Sequence, residues 1–167
     1  SGLVGSEMCI RDRSYLDSYG ANKGLTPELD ALSKDGLFFE QVYATGTRTV
    51  RGLEALSLGT PPVPGQAIVR RPANAHLTTL GEVLAHQDVD TFFFYGGYGY
   101  FDNMNAYFSA NDYQVVDRTD IPANRIVFEN VWGVADEVLF NTTIEHIDLR
   151  AQTSRPFFAH VMTTSNH

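Results

Sequence analysis

Residues 90–95 read Asp-Thr-Phe-Phe-Phe-Tyr, an unbroken aromatic run rather than an alternating one. Such a run reads as a buried strand. The flanking sequence has helical spacing. Leu77, Leu80, Val83 and Leu84 predict an amphipathic helix over 77–86, and 101–110 is expected to be helical. A short strand follows at 113–116. Val138, Leu139, Ile144, Ile147 and Leu149 give helical spacing over 134–150, and 156–162 is the last strand, with its exit loop from Thr163. Strands separated by helices imply an α/β fold with a mostly parallel central sheet, in which ligands sit at the carboxyl ends of the strands.

The upstream half adds a second junction. Thr26-Pro27-Glu28-Leu29-Asp30 starts a helix, with a capping threonine, proline in the first turn and acids near the positive end. Leu25, Leu29 and Leu32 give it an apolar side and Gly36 ends it. Residues 37–43 (Leu-Phe-Phe-Glu-Gln-Val-Tyr) read as a strand, and the pattern turns helical after Thr49, with Leu53, Ala55 and Leu56 facing inward. A short helix over 53–58 stops at Gly59 and Pro61, Pro62 and Pro64, before a loop that carries Arg70 and Arg71. Between strand and helix lies Gly46-Thr47-Arg48-Thr49. A hydroxyl there stands near helix N-terminal amides, where anions bind and a nucleophile can meet a phosphoryl group; a plain cap at Thr47 or Thr49 is the alternative. Arg51 suits a phosphate or a solvated helix face, and Arg48 is expected to point away. Thr49, residues 96–105 and residues 165–167 all follow strands, so they can share one rim.

The chain has 167 residues, enough for one domain, with 43% hydrophobic and 12% aromatic residues, which argues against disorder. A net charge of -8 disfavours nucleic acid or nonspecific attraction to anionic lipid as the main function. No stretch approaches the roughly 20 apolar residues that span a bilayer, and no signal peptide is visible. Residues 1–13 resemble a translated sequencing adapter and are set aside as a non-native artefact, leaving 14–167 as the domain. The single cysteine, Cys9, falls inside that segment, so neither disulfides nor thiol catalysis is expected. Asp102, Asn103 and Asn105 lie in the glycine- and tyrosine-rich stretch GGYGYFDNMN, suited to hydrogen-bonding hydroxyls or to ordinary turns. Trp132 could line a pocket or pack in a core. His76, His86, His146 and His160 read as structural or surface residues, and no His-Glu-x-x-His or Cys-x-x-Cys pattern occurs.

Five stretches occur in order: GTRTVRGLEAL, GTPPVPG, FFYGGYGYFDNMN, ENVWGVADE and HVMTTSNH. Together they resemble the membrane-anchored phosphoglycerol transferases related to lipoteichoic acid synthase, in the Gram-negative-type branch, within the alkaline phosphatase–sulfatase superfamily. The resemblance runs from Tyr15 to His167. It implies a partial alkaline phosphatase-like sandwich. It makes Thr49, the second threonine of Gly46-Thr47-Arg48-Thr49, both nucleophile and metal ligand. Arg51, Asp102, Asn103, Trp132 and His167 become substrate-binding residues. The implied cofactor is a divalent metal, manganese or magnesium, with zinc an alternative. The implied donor is phosphatidylglycerol and the acceptor a glycan or polymer hydroxyl, reached through a covalent phosphoglycerol–threonine intermediate. An inner-membrane anchor and an extracytoplasmic catalytic domain come with it, and no nucleic acid.

Family members also carry an acidic metal ligand upstream of Thr26 and an Asp-His pair downstream of His167. The chain is therefore expected to be a domain truncated at both ends, inactive alone and marginally folded. Three other readings remain. A sulfatase would need Cys or Ser in C/S-x-P-x-R, whereas Thr49 is followed by Arg51 and Leu53. Phosphoethanolamine transferases share the Gly-Thr-x-Thr junction but are usually cysteine-rich. A noncatalytic headgroup- or glycan-binding domain would use the same pocket without chemistry.

Overall fold

A computed structural model describes residues 24–39, 41, 43, 46 and 48–165. In chain order its elements are α1 (Pro27–Asp35), α2 (Thr49–Leu58), α3 (Leu80–Ala85), β1 (Asp90–Tyr95), α4 (Met104–Ser109), β2 (Gln114–Val116), β3 (Glu129–Asn130), β4 (Gly133–Val134), α5 (Asp136–Ala151) and β5 (Phe157–Met162). β1 is the centre of a three-stranded sheet ordered β2-β1-β5, and both pairings are parallel. This is the α/β architecture with a parallel sheet that the sequence implies.

All six residues of β1 are buried, because its side chains alternate between two separate cores. Phe93 and Tyr95 pack with Val50 and Leu53 of α2 and Met104, Tyr107 and Phe108 of α4. Phe92 and Phe94 pack on the other face with Val116, Ile121, Val134, and Val138 and Leu139 of α5. Phe93 stacks on Phe108 with centroids 3.7 Å apart. Each fully buried Phe contributes on the order of 2–3 kcal/mol. Helices thus cover both faces of this strand.

The expected strand at 37–43 does not form among the described residues there, Leu37, Phe38, Phe39, Gln41 and Tyr43. Leu37 and Tyr43 are largely exposed. Apolar content makes a strand only where a neighbour completes its hydrogen bonds, and these residues lie outside the sheet. α1 has the expected bounds, with Thr26 at its N-cap and Gly36 at its C-cap, yet none of its residues is buried and Leu25, Leu29 and Leu32 face solvent. α2 begins at Thr49 rather than 53 and stops at Gly59, whose left-handed backbone (φ 65) lets its N–H reach Ala55 O. Its inward face is Val50, Leu53, Glu54 and Ser57, with Ala55 and Leu56 half-buried.

α3 starts three residues later than the pattern suggests. Thr79 caps it by accepting the Glu82 N–H at 3.2 Å, and Leu77 N–H is taken by Asn111 Oδ1 at 2.8 Å. Leu80 and Val83 are exposed; the buried face is the Gly81 side, where a Cβ would lie 2.3 Å from the Tyr113 ring. α5 likewise turns a different face inward. Val138, Leu139, Thr142 and Thr143 are buried, while Ile144 and Leu149 are exposed. The threonines tolerate burial because their hydroxyls donate back to Val138 O and Leu139 O at 2.9 Å each.

His160 of β5 lies against the edges of Phe93 and Phe108, with ring centroids 5.3 and 5.7 Å away, and its Nε2 is buried with no hydrogen-bond partner. Burial pushes its pKa down to about 4. A His depressed on folding binds protons more readily when unfolded, so its contribution is full above about pH 6.5 and is lost as pH falls toward 4. Urea unfolding should lose about 2 kcal/mol of stability between pH 7 and pH 5 from this residue. His160→Leu should flatten that share of the slope; an unchanged slope would contradict the assignment.

Candidate functional site

Parallel pairing places the ends of β1, β2 and β5 at one rim, and the loops leaving them are laced together there. The first is the glycine-rich loop after β1, whose Gly96 N–H donates to Met162 O at 3.1 Å. Asp117, just after β2, accepts the Gly99 N–H on Oδ2 at 2.7 Å and the Thr119 N–H on Oδ1 at 2.7 Å. After β5, Thr164 and Ser165 donate their N–H groups to Asp136 Oδ1 at 3.0 and 2.9 Å. Ser165 Oγ returns the favour by accepting the Asp136 N–H at 2.8 Å. That exchange anchors the start of α5 to the rim. The β3–β4 hairpin joins it through Val134, whose N–H reaches Gly96 O at 2.9 Å and whose carbonyl accepts Thr164 Oγ1 at 2.8 Å. Gly133 has φ 151, and a Cβ there would meet Gly96 O at 2.2 Å, so only glycine permits this approach.

The glycine-rich loop also reaches across to the 68–70 turn beside α2. Asp102 and Asn103 both adopt left-handed backbone (φ 54 and 63), a conformation Asp and Asn tolerate better than most residues. That turn aims Asp102 Oδ1 at Arg70 Nε, 3.3 Å away, and Asn103 Nδ2 at Val69 O, 3.0 Å away. Arg70 ends the turn Ile68–Arg70, which packs on α2 and α4. Between this turn and the start of α2 lies a cavity of about 360 Å³, lined by Arg48, Val50, Arg51, Gly65, Gln66, Ala67 and Arg70. Tyr95 at the end of β1 is held protonated, its pKa pushed up to about 12 by burial, then by Asp102 and Asp117.

Thr49 is half-buried at the first position of α2, while the N-cap position belongs to Arg48, which makes no side-chain cap. The α2 N-terminal amides and three nearby guanidinium groups favour an anion. Arg51 builds the wall as well as lining it. Its Nη1 donates to Glu54 Oε1 at 2.8 Å and Val63 O at 3.0 Å, and its Nη2 to Gly65 O. Two of its five N–H donors are left for a ligand. Glu54, fully buried, also accepts the Ile68 N–H on Oε2 at 2.5 Å, so one carboxylate ties α2 to the turn that carries Arg70. Arg71 fixes the same loop by donating to Gln66 O and Pro64 O at 2.6 and 2.8 Å.

Of the residues singled out from sequence, Arg51 lines the cavity, Thr49 lies between the lining residues Arg48 and Val50 without itself lining it, and Asp102 and Asn103 are tied to its Arg70 edge. Trp132, at the hairpin tip, joins them indirectly, meeting Phe101 edge-on at 6.1 Å. His167 and Thr47 lie outside the described residues. Arg48 faces the cavity, contrary to expectation, because as N-cap it flanks the anion-favouring helix end. Glu54 and Asp117 escaped the sequence reading. Asp117 had a signal, the Asp-x-x-Asp spacing of a reciprocal cap completed by Asp120; Glu54, an acid on a buried stripe, had none.

Among the described residues no group of three His, Cys, Asp or Glu side chains is placed to hold a metal ion. Around Thr49 the charges are cationic. These residues fit an anion and do not by themselves fit a divalent metal.

The sulfatase family model matches residues 6–167. Among solved structures, the chain is similar to a protein in the alkaline phosphatase superfamily from Vibrio parahaemolyticus, with 39% identity and a TM-score of 0.84. That match covers 92% of this chain and 38% of the other. It is also similar to the lipoteichoic acid synthase LtaP from Listeria monocytogenes, at 19% identity and a TM-score of 0.78, over 88% of this chain and 36% of that one. The second likeness shows the fold alone. The chain thus spans well under half the length of either structure.

Replacing Glu54 by Ala should leave Arg51 without its carboxylate and the Ile68 N–H without an acceptor. The expected loss is about 3 kcal/mol in urea unfolding, with Glu54→Gln, which keeps an acceptor oxygen, losing less. Equal losses for the two would show that the charge alone matters.

Proposed function

Given that the chain belongs to the sulfatase family of the alkaline phosphatase superfamily, whose members are hydrolases and transferases, we propose that the protein is a phosphoglycerol transferase with Thr49 as its nucleophile. The observation that carries this reading is the cationic cavity of Arg48, Arg51 and Arg70 beside the α2 N-terminus, whose first helical residue is Thr49. Thr49 Oγ attacks the phosphorus of phosphatidylglycerol, and the bond from phosphorus to the diacylglycerol oxygen breaks. The proton lost from Thr49 is balanced by the one the departing diacylglycerol gains. In the second displacement an acceptor hydroxyl on a glycan or polymer attacks the same phosphorus, returning Thr49 with a proton. Arg48, Arg70 and the free donors of Arg51 hold the phosphate oxygens; Asp102, Asn103, Trp132 and His167 receive the glycerol. Members of this superfamily generally use divalent metals. The described residues alone do not make such a site; a divalent cation, manganese or magnesium with zinc the alternative, would have Thr49 as one ligand and would lower the pKa of its hydroxyl. We place the catalytic domain of the whole protein outside the cytoplasm on a membrane anchor. Among the described residues no helix is long and apolar enough to cross a membrane.

In the whole protein, Thr49→Ala should reduce diacylglycerol release from phosphatidylglycerol at least about a thousandfold and remove the phosphoglycerol adduct from the tryptic peptide bearing position 49, read by mass spectrometry. Headgroup binding retained without any adduct in the unmutated protein would point instead to a noncatalytic binding domain. Transfer of phosphoethanolamine in preference to phosphoglycerol would move the protein to that neighbouring activity.

A further inference from the structure

Glu54 stands on the inward face of α2 with no exposure to solvent. Its Oε1 accepts from Arg51 Nη1 at 2.8 Å, and its Oε2 accepts the Ile68 N–H at 2.5 Å. Neither bond requires a negative charge. Arg51 is also held by the carbonyls of Val63 and Gly65, and its side chain is 19% exposed, so water reaches it. The Ile68 N–H needs one acceptor oxygen, which a glutamine carbonyl would supply. Burying a carboxylate is costly, and pairing it with an arginine adds little net stability over a neutral replacement. What the carboxylate alone provides is charge. Charge held out of reach of water acts more strongly on its surroundings than charge at the surface.

That charge lies beside a cavity lined by three guanidinium groups. Arg51 faces Glu54, and Arg70 faces Asp102 through Nε at 3.3 Å. Arg48 is the one lining cation with no carboxylate partner among the described residues. Arg71 is outside the lining, with its donors on Gln66 O and Pro64 O. Three cations against two acids leave the lining and its partners with one net positive charge. From this arrangement we infer that Glu54 is a specificity-determining residue, which cancels Arg51 so that the cavity favours a singly charged phosphodiester over a doubly charged phosphomonoester. The inference rests on the proposed function only in seating the phosphate in this cavity. A diester matches the single net charge. A monoester brings a second negative charge, which the buried carboxylate repels, so selection works by disfavouring the wrong ligand.

Methyl phosphate and dimethyl phosphate differ by one charge at about pH 8, since the second ionisation of a phosphate monoester lies near pH 6. Both can be titrated into the whole protein and followed by phosphorus NMR. Glu54→Gln should shift the ratio of their dissociation constants roughly tenfold in favour of methyl phosphate. Any other fixed charge in the site enters both proteins equally and leaves that shift in place. The double variant Arg51→Gln with Glu54→Gln removes both charges together and should keep the ratio of the unmutated protein. An unshifted ratio in Glu54→Gln would overturn the inference, as would no line broadening with either probe. If Glu54→Gln does not fold, the double variant decides. An unchanged ratio there supports the cancellation; a shift toward dimethyl phosphate means that a ligand feels Arg51 without Glu54, and sinks it. Neither probe carries glycerol or lipid, so the transfer chemistry is scored apart. An adduct on Thr49 without the shift keeps the transferase and removes the selector. The shift without an adduct keeps the selector and removes the transferase.

Discussion

β1 is buried on both faces, and the placement of α2, α4, α5 and the hairpin follows from covering it. Phe93 and Tyr95 need α2 and α4; Phe92 and Phe94 need α5 and the hairpin. Helices can lie on both faces only if the connections cross from one strand end back to the other, which makes the pairing parallel. Parallel strands put their carboxyl ends at one rim, and that collects the glycine-rich loop, Asp117 and the Thr164–Ser165 turn in one place. The location of the site is thus a consequence of burying one strand.

The rim is joined to the α2 cavity by polar contacts rather than by packing. Glu54 fixes Arg51 and the 68–70 turn, Arg70 meets Asp102, and Asn103 holds Val69 O. Charge is arranged so that the buried acid neutralises the wall arginine and Asp102 pairs with Arg70 through Nε, leaving Arg48 available to a ligand. Asp117 plays the matching role on the other side, holding Gly99 while capping the turn that follows β2. The left-handed pair Asp102 and Asn103 costs about 1 kcal/mol or more of backbone energy per residue, and it gives the turn that directs both side chains toward the cavity.

Elements whose signal is local matched the sequence closely. β1 has the expected bounds, β2 and β5 differ by one residue, and α1 begins and ends at its predicted caps. Failures came where a long-range partner decides. The segment 37–43 has the apolar content of a strand, but its described residues lie outside the sheet. Leu80, Val83, Ile144 and Leu149 follow helical spacing yet face solvent. Gly81 and the back-bonded Thr142 and Thr143 fit closer against the sheet. For the candidate site, the loop bearing Asp102 and Asn103 and the junction bearing Thr49 were legible as motifs. The cavity was not, since Arg48, Arg51, Arg70 and Glu54 come from two segments with no mutual sequence signature.

Sequence alone determined the helix–strand alternation, the buried aromatic strand and the hydroxyl at a helix start, because each depends on side-chain order within a few residues. Tertiary structure alone decided which helix faces turn inward, that a carboxylate would be buried at Glu54, and that Phe101 would meet Trp132. Those outcomes depend on close approach between segments far apart in the chain, fixed by the space beside Gly81 and Gly133 and by the partners available to each buried polar atom.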